Sequence, residues 1–198
     1  NGEIFVPADP SRRKTYRDVI CYAADQYGSS GAIFVSHTYQ PSSNPGPAAA
    51  HFAEVEVDTL TGLCRLTAFT AAHDVGKAIN PELCRGQVGS ALQQGMGLVF
   101  CEQVKIDPKT GQPLNATLQR YHVARACDFP HIETVLVENG SPEGPYGAKS
   151  IGESCFVPVA PALLAAVNDA LQTDLTTLPL TPEKIIRAVQ EKRKEASL

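Results

Sequence analysis

Along residues 51–58, "HFAEVEVD", apolar Ala53, Val55 and Val57 alternate with polar neighbours. That is the period of a half-buried strand. "TLTG" then turns the chain and "LCRLTAFTAAHDV" returns, which predicts a β-hairpin closed by a short glycine-ended turn. Beyond Asn80 the period changes. Val88, Leu92, Met96 and Val99 recur at helical spacing in "INPELCRGQVGSALQQGMGLVFCE", with Asn80 as N-cap and Pro81 suited to the first helical position. Upstream, Tyr16, Val19, Ile20, Ala23 and Tyr27 predict a helix over 15–27 stopped by Gly28. "GAIFVSHTY" reads as a strand and "QPSSNPGPAAA" as a loop. Downstream, "VKIDPKTGQPL" reads as a second hairpin around "DPKTG", and "IETVLVE" as a strand. "NGSPEGPYGAKSIGES" reads as a long glycine-rich loop, and "PVAPALLAAVNDAL" as an apolar helix whose start Pro158 and Pro161 set back. A last helix opens at Thr181, with Pro182 just inside it. Strands, hairpins and helices mixed in this way predict an α+β fold, a two-layer mixed sheet with helices.

Composition narrows the function classes. At 198 residues the chain is long enough for one substantial domain or two small ones. A chain of that size buries roughly 70% of its unfolded surface, so it needs no disulfide or metal staple. The net charge is −4, and the only dense cation run, "EKRKE", is mixed in sign. Nucleic acid is therefore not an expected partner. Cys21, Cys64, Cys84, Cys101, Cys127 and Cys155 form no C-x-x-C, and His37, His51, His73, His122 and His131 are scattered. Neither set predicts a metal or iron–sulfur site, and the cysteines read as small buried hydrophobes in a reducing compartment. No apolar run approaches the roughly 18 residues of a membrane span, and "NGEIFVPADP" lacks the regions of a signal peptide. The expectation is a cytoplasmic protein. The only methionine is Met96, so the chain reads as a piece of a longer polypeptide or a processed subunit.

Three stretches hold candidate chemistry. On the helix after Asn80, Gln87 and Gln94 project from one side with Ser90 and Ala91 between them, and Gly95 and Gly97 follow. Their amides suit either recognition of a heterocycle edge or a phosphate, or simple solvation of a face whose glycines admit close helix packing. In "GAKSIGES" a Walker loop fails, because Ala148 separates Gly147 from Lys149. The glycines still let backbone N–H groups converge on an anion or a cofactor oxygen. Glu153 is then either a general base with its pKa set by a dry surrounding, or a carboxylate favoured by the dipole at a helix start. Asp74, between "AAH" and "VG", reads as a turn carboxylate bonding the backbone before Gly76.

"VEVDTLTG", "HDVGKAINP", "GQVGSALQQGMG" and "GAKSIGES", in this order, resemble the C-terminal part of the molybdenum-binding subunit of the xanthine dehydrogenase and aldehyde oxidase family. The resemblance runs from about residue 48 to 190 and implies one molybdopterin-binding domain over 1–198. It implies a molybdenum–pterin cofactor, as molybdopterin or its dinucleotide form, held by the pterin and not by protein side chains. Gln94 matches the glutamine that contacts the molybdenum centre and pterin, with Gly95 beside it. Ala148, Lys149, Ser150, Ile151 and Gly152 match the cofactor-cradling loop, and Glu153 matches the catalytic base. The implied reaction is hydroxylation of a purine, another N-heterocycle or an aldehyde with water-derived oxygen. Implied partners are the remaining part of the molybdenum-binding subunit and iron–sulfur and FAD subunits. Three positions depart from the family pattern: Gly89 and Ser90 stand where Glu–Gly is usual, and Ser150 where glycine is common. The competing expectation is a structural or cofactor-binding piece with no turnover alone.

Overall fold

The computed structural model describes residues 2–25, 34–43 and 46–196. It forms two compact units, Asn1–Gln40 and Pro41–Leu198. In the first, β1 (Glu3–Val6) pairs antiparallel with β2 (Asp9–Thr15), and α1 (Tyr16–Asp25) follows. A reciprocal cap starts α1: Asp18 N–H donates to Thr15 Oγ1 and Thr15 N–H to an Asp18 carboxylate oxygen, each at 3.0 Å. The hairpin carries no clear alternation in sequence and was not expected. α1 has no buried residue, so Tyr16 and Ile20 of its apolar stripe are exposed. Gly28, the expected helix stop, lies outside the described residues. So do residues 31–33 of the expected strand, and residues 34–40 form no strand.

The second unit is built on a three-stranded mixed sheet. β3 (Ala48–Val57) runs antiparallel to the central β4 (Cys64–Asp74), and β5 (Ile132–Val137) runs parallel to β4. The expected hairpin is therefore present. Its turn is set by Asp58, whose carboxylate accepts from Leu60 N–H at 2.8 Å, and by Gly62 at φ 73°. Glu54 pairs with Ala68 and Val55 with Leu66, which leaves Thr67 as an extra residue on β4. This bulge reverses the side-chain phase, so that Leu66 and Phe69 both reach the core.

Helices cover one face of the sheet. α2 (Pro81–Met96) starts as expected at Asn80, whose side chain accepts from Leu83 N–H, and continues as a π-helical turn over Gly97–Cys101. Its stripe Val88, Leu92, Met96 and Val99 is buried. α3 (Gly152–Phe156) and α4 (Val159–Leu171) add Cys155, Val159, Leu163 and Val167, and α5 (Pro182–Glu195) adds Ile185 and Val189. The class is α+β, as expected.

Three local expectations are corrected. Residues 104–114 form the "DPKTG" turn but only one bridge, Ile106 to Pro113, because Pro108 and Pro113 offer no N–H for a ladder. Of the six cysteines only Cys155 is buried; Cys21 and Cys127 are exposed and the other three half-buried. The glycine-rich loop does not run through Ser154, because a helix begins at Gly152. Among the described residues no single helix is long and apolar enough to cross a membrane.

Candidate functional site

The "GAKSIGES" loop is clamped where the sheet ends. Val75 N–H donates to Val137 O at 3.0 Å, extending the β4–β5 pairing by one residue. Lys149 N–H donates to Val75 O at 2.9 Å, and Lys149 Nζ to Asp74 Oδ2 at 2.7 Å. The second oxygen of Asp74 accepts from Gly76 N–H at 3.0 Å, the turn contact expected from sequence. Gly76 takes φ 64°, and a Cβ there would run into the carbonyl oxygen of Gly147. Glycine is required at 76 on both counts. Beside this clamp Lys77 Nζ meets Glu138 at 2.9 Å, and the other Glu138 oxygen accepts from Ala78 N–H. The Lys149 ammonium holds the Asp74 carboxyl below its usual range, aided by the Gly76 N–H.

Past Lys149 the chain is open. Ala148 is half-buried, Ile151 packs on the core, and Ser150, Gly152 and Glu153 are exposed. The N–H groups of Ser150, Ile151 and Gly152 take no hydrogen-bond partner among the described residues. A Cβ on Gly152 would meet nothing within 4 Å. The Glu153 carboxylate makes no hydrogen bond or ion pair among the described residues, and the dry surrounding anticipated for it is not built from this chain. Glu153 is the second residue of the short α3. The next residue but one, Cys155, is fully buried and pins α3 against α2.

Gln94 and Gly95 sit on that facing helix. Gly95 is buried, and a Cβ there would overlap Val159 at the start of α4. The glycine thus permits the helix contact that brings Gln94 beside the α3–α4 corner. Gln94 is exposed, with Nε2 on Ser90 Oγ at 3.3 Å and its carbonyl oxygen open. Gln87 is also exposed, so both amides of the sequence pair face outward. The structure thus brings the expected residues onto two touching elements. A cleft of about 1010 Å³ lies elsewhere, between the start of β4, the π turn and residues 118–130, and includes neither Gln94 nor Glu153.

One pair was illegible in the spacing. His51 Nε2 and His73 Nε2 lie 2.9 Å apart, although the sequence presents the histidines as scattered. The hairpin register places His51 opposite Ala71 and His73 opposite Ala49, which sets the rings diagonally on one face. Both Nδ1 atoms are buried without a partner. Burial, and for His51 also the neighbouring His73, pushes their pKa values down, that of His51 to about 4.

The chain as a whole is similar to known proteins. The family described as molybdopterin cofactor-binding domain matches residues 1–130. This chain belongs to that family. The xanthine dehydrogenase molybdenum-binding subunit of Escherichia coli O157:H7 is 34% identical over 157 residues, 78% of this chain and 21% of that protein. The carbon monoxide dehydrogenase large chain of Hydrogenophaga pseudoflava is 31% identical over 191 residues, 94% of this chain and 24% of that protein. The crystal structure of quinoline 2-oxidoreductase from Pseudomonas putida 86 matches with a TM-score of 0.82 at 34% identity, over 96% of this chain and 25% of that one. The molybdopterin-binding chain thus spans about a fifth to a quarter of these relatives. Its residues fit an oxygen-rich pterin on two counts. Three unpaired backbone donors stand in one short segment, and Gly152 leaves room for an atom to approach that backbone closely.

Proposed function

We propose that this chain is the cofactor-binding part of a molybdenum hydroxylase that oxidises a purine, another N-heterocycle or an aldehyde. The observation carrying this reading is the segment 150–153, where three unpaired N–H groups adjoin an unpaired, exposed carboxylate. The relatives, named for xanthine, carbon monoxide and quinoline chemistry, support the oxidoreductase class. When bound, the molybdenum–pterin group supplies a two-electron redox centre and a site that activates a water-derived oxygen.

The residues of this chain have simpler tasks. The N–H groups of Ser150, Ile151 and Gly152 donate to cofactor oxygens, with Ala148 and Lys149 setting the loop's path. The Gln94 amide donates to the cofactor from α2, and Gly95 lets that helix lie close to the α3–α4 corner. Glu153 takes a proton at its carboxylate and so acts as general base. Residues 1–198 act as one molybdopterin-binding domain in the cytoplasm. The remaining part of the molybdenum-binding subunit and iron–sulfur and FAD subunits complete the enzyme. The rest of that subunit covers the exposed face of Gln94 and Glu153 and excludes water from it.

A second reading keeps one observation: Glu153 lies in the first turn of α3, where a carboxylate is favoured without any chemistry. Glu153→Gln in the assembled enzyme separates the two. Gln keeps the volume and an acceptor oxygen but takes no proton at working pH. Molybdenum and pterin occupancy should stay near wild type while kcat per molybdenum falls at least ~100-fold, since a positioned base contributes roughly 10²–10⁴. A near-normal rate per molybdenum would leave Glu153 as a helix-start carboxylate.

A further inference from the structure

Asp74 has no part in the chemistry above, yet both of its oxygens are committed. One closes the turn at Gly76 and the other holds the Lys149 ammonium at 2.7 Å. The two side chains are only 13% and 15% exposed, so water competes little for the pair. Lys149 is gripped twice, since its backbone N–H also bonds Val75 O at 2.9 Å. Its ammonium is spent within the protein. Beyond Lys149, Ile151 packs half-buried on the core, and Cys155, 0% exposed, is the next fully buried residue along the chain. Glu153 lies between these two anchors, in a segment that is otherwise exposed or only half-buried.

We propose that Asp74 is a positioning residue for Glu153, acting through the Lys149 ion pair that ties the loop to the end of β4. This rests on the reading of Glu153 as base. Without the ion pair the loop keeps only the Lys149 N–H bond and the packing of Ile151 and Cys155, so the exposed first turn of α3 shifts and the Glu153 carboxylate moves with it. Displacement of a reacting group by about 1 Å costs up to ~100-fold in rate. An uncharged partner does not serve, because a nearly buried ammonium without its carboxylate draws in water and opens the loop.

The test uses the assembled enzyme with Asp74→Asn, Lys149→Met and Lys149→Arg, each also combined with Glu153→Gln. Asp74→Asn and Lys149→Met should each lower kcat per molybdenum by about 10- to 100-fold, with KM little changed. Lys149→Arg, which keeps the charge, should restore most of the rate. In the Glu153→Gln background, Asp74→Asn should cause no further loss. Hydrogen exchange supplies a readout independent of turnover: amides of 147–156 should exchange faster in Asp74→Asn, and those of α4 should not. Unchanged exchange at 147–156, or a normal rate per molybdenum in both Asp74→Asn and Lys149→Met, would overturn the proposal. If Glu153→Gln keeps its rate, the base reading fails and positioning for catalysis fails with it, while exchange still decides whether Asp74 holds the loop. Should Asp74→Asn fail to assemble, the contrast between Lys149→Met and Lys149→Arg decides alone, and equal rates in the two overturn the proposal.

Discussion

Gln94 shows how little a single residue reveals of its task. Its amide is exposed and satisfied only by a 3.3 Å contact to Ser90, a pattern shared by many solvated glutamines. What separates it from those is Gly95, which is buried against Val159 and brings this one turn of α2 to the α3–α4 corner. The proposed function predicts that Gln94→Ala lowers cofactor retention. Removing a partner from a buried polar site costs roughly 1–3 kcal/mol, or about one to two decades of affinity. Molybdenum content after extended dialysis of the assembled enzyme measures this, and retention equal to wild type would count against the contact.

At the scale of an element, the β3–β4 hairpin links register to pH. A neutral His51–His73 bond needs one Nε2 carrying its proton and the other bare, so the pair holds opposite tautomers. Burial and the facing ring lower the His51 pKa from 6.5 to about 4, and burial lowers that of His73 as well. The unfolded chain therefore binds more protons than the folded one as pH falls below 6.5. Stability is greatest above that pH and declines through the window down to about 4. Glutamates and aspartates begin to contribute only near their ordinary values of 4.5 and 3.8. The urea midpoint of the purified protein should therefore fall between pH 6.5 and 4.5, and His51→Gln should flatten that slope. An unflattened slope would mean that other groups titrate there.

For the whole molecule, the decisive fact is how much of the site this chain leaves open. Gln94, Ser150, Gly152 and Glu153 are all exposed, and the chain spans 21–25% of the relatives described above. A base in open water has no ordered partner and no excluded volume around it, so the effects that make proximity valuable are missing. The isolated 198-residue chain should accordingly show no hydroxylase turnover and bind little cofactor. Incubation with an N-heterocycle or aldehyde and a dye acceptor tests this; turnover by the lone chain would contradict the proposed division of labour.

The sequence by itself determined those features that depend on neighbours within a few residues. The alternation in "HFAEVEVD", the glycine-ended turn at "TLTG", the Asn80 cap and the Val88–Val99 stripe were all legible, because strand and helix periods and turn chemistry are local. The ordered glycine motifs likewise marked the family, since a close backbone approach can be made in few ways. Tertiary structure alone decided who meets whom. Strand register, not spacing, joined His51 to His73, and the parallel placement of β5 brought Lys149 to Asp74 across 75 positions. It also started a helix at Gly152, where the burial of Cys155 outweighed a glycine-rich composition. It left α1 bare despite its helical period, because an apolar stripe specifies that a face can be covered and carries no information on what covers it.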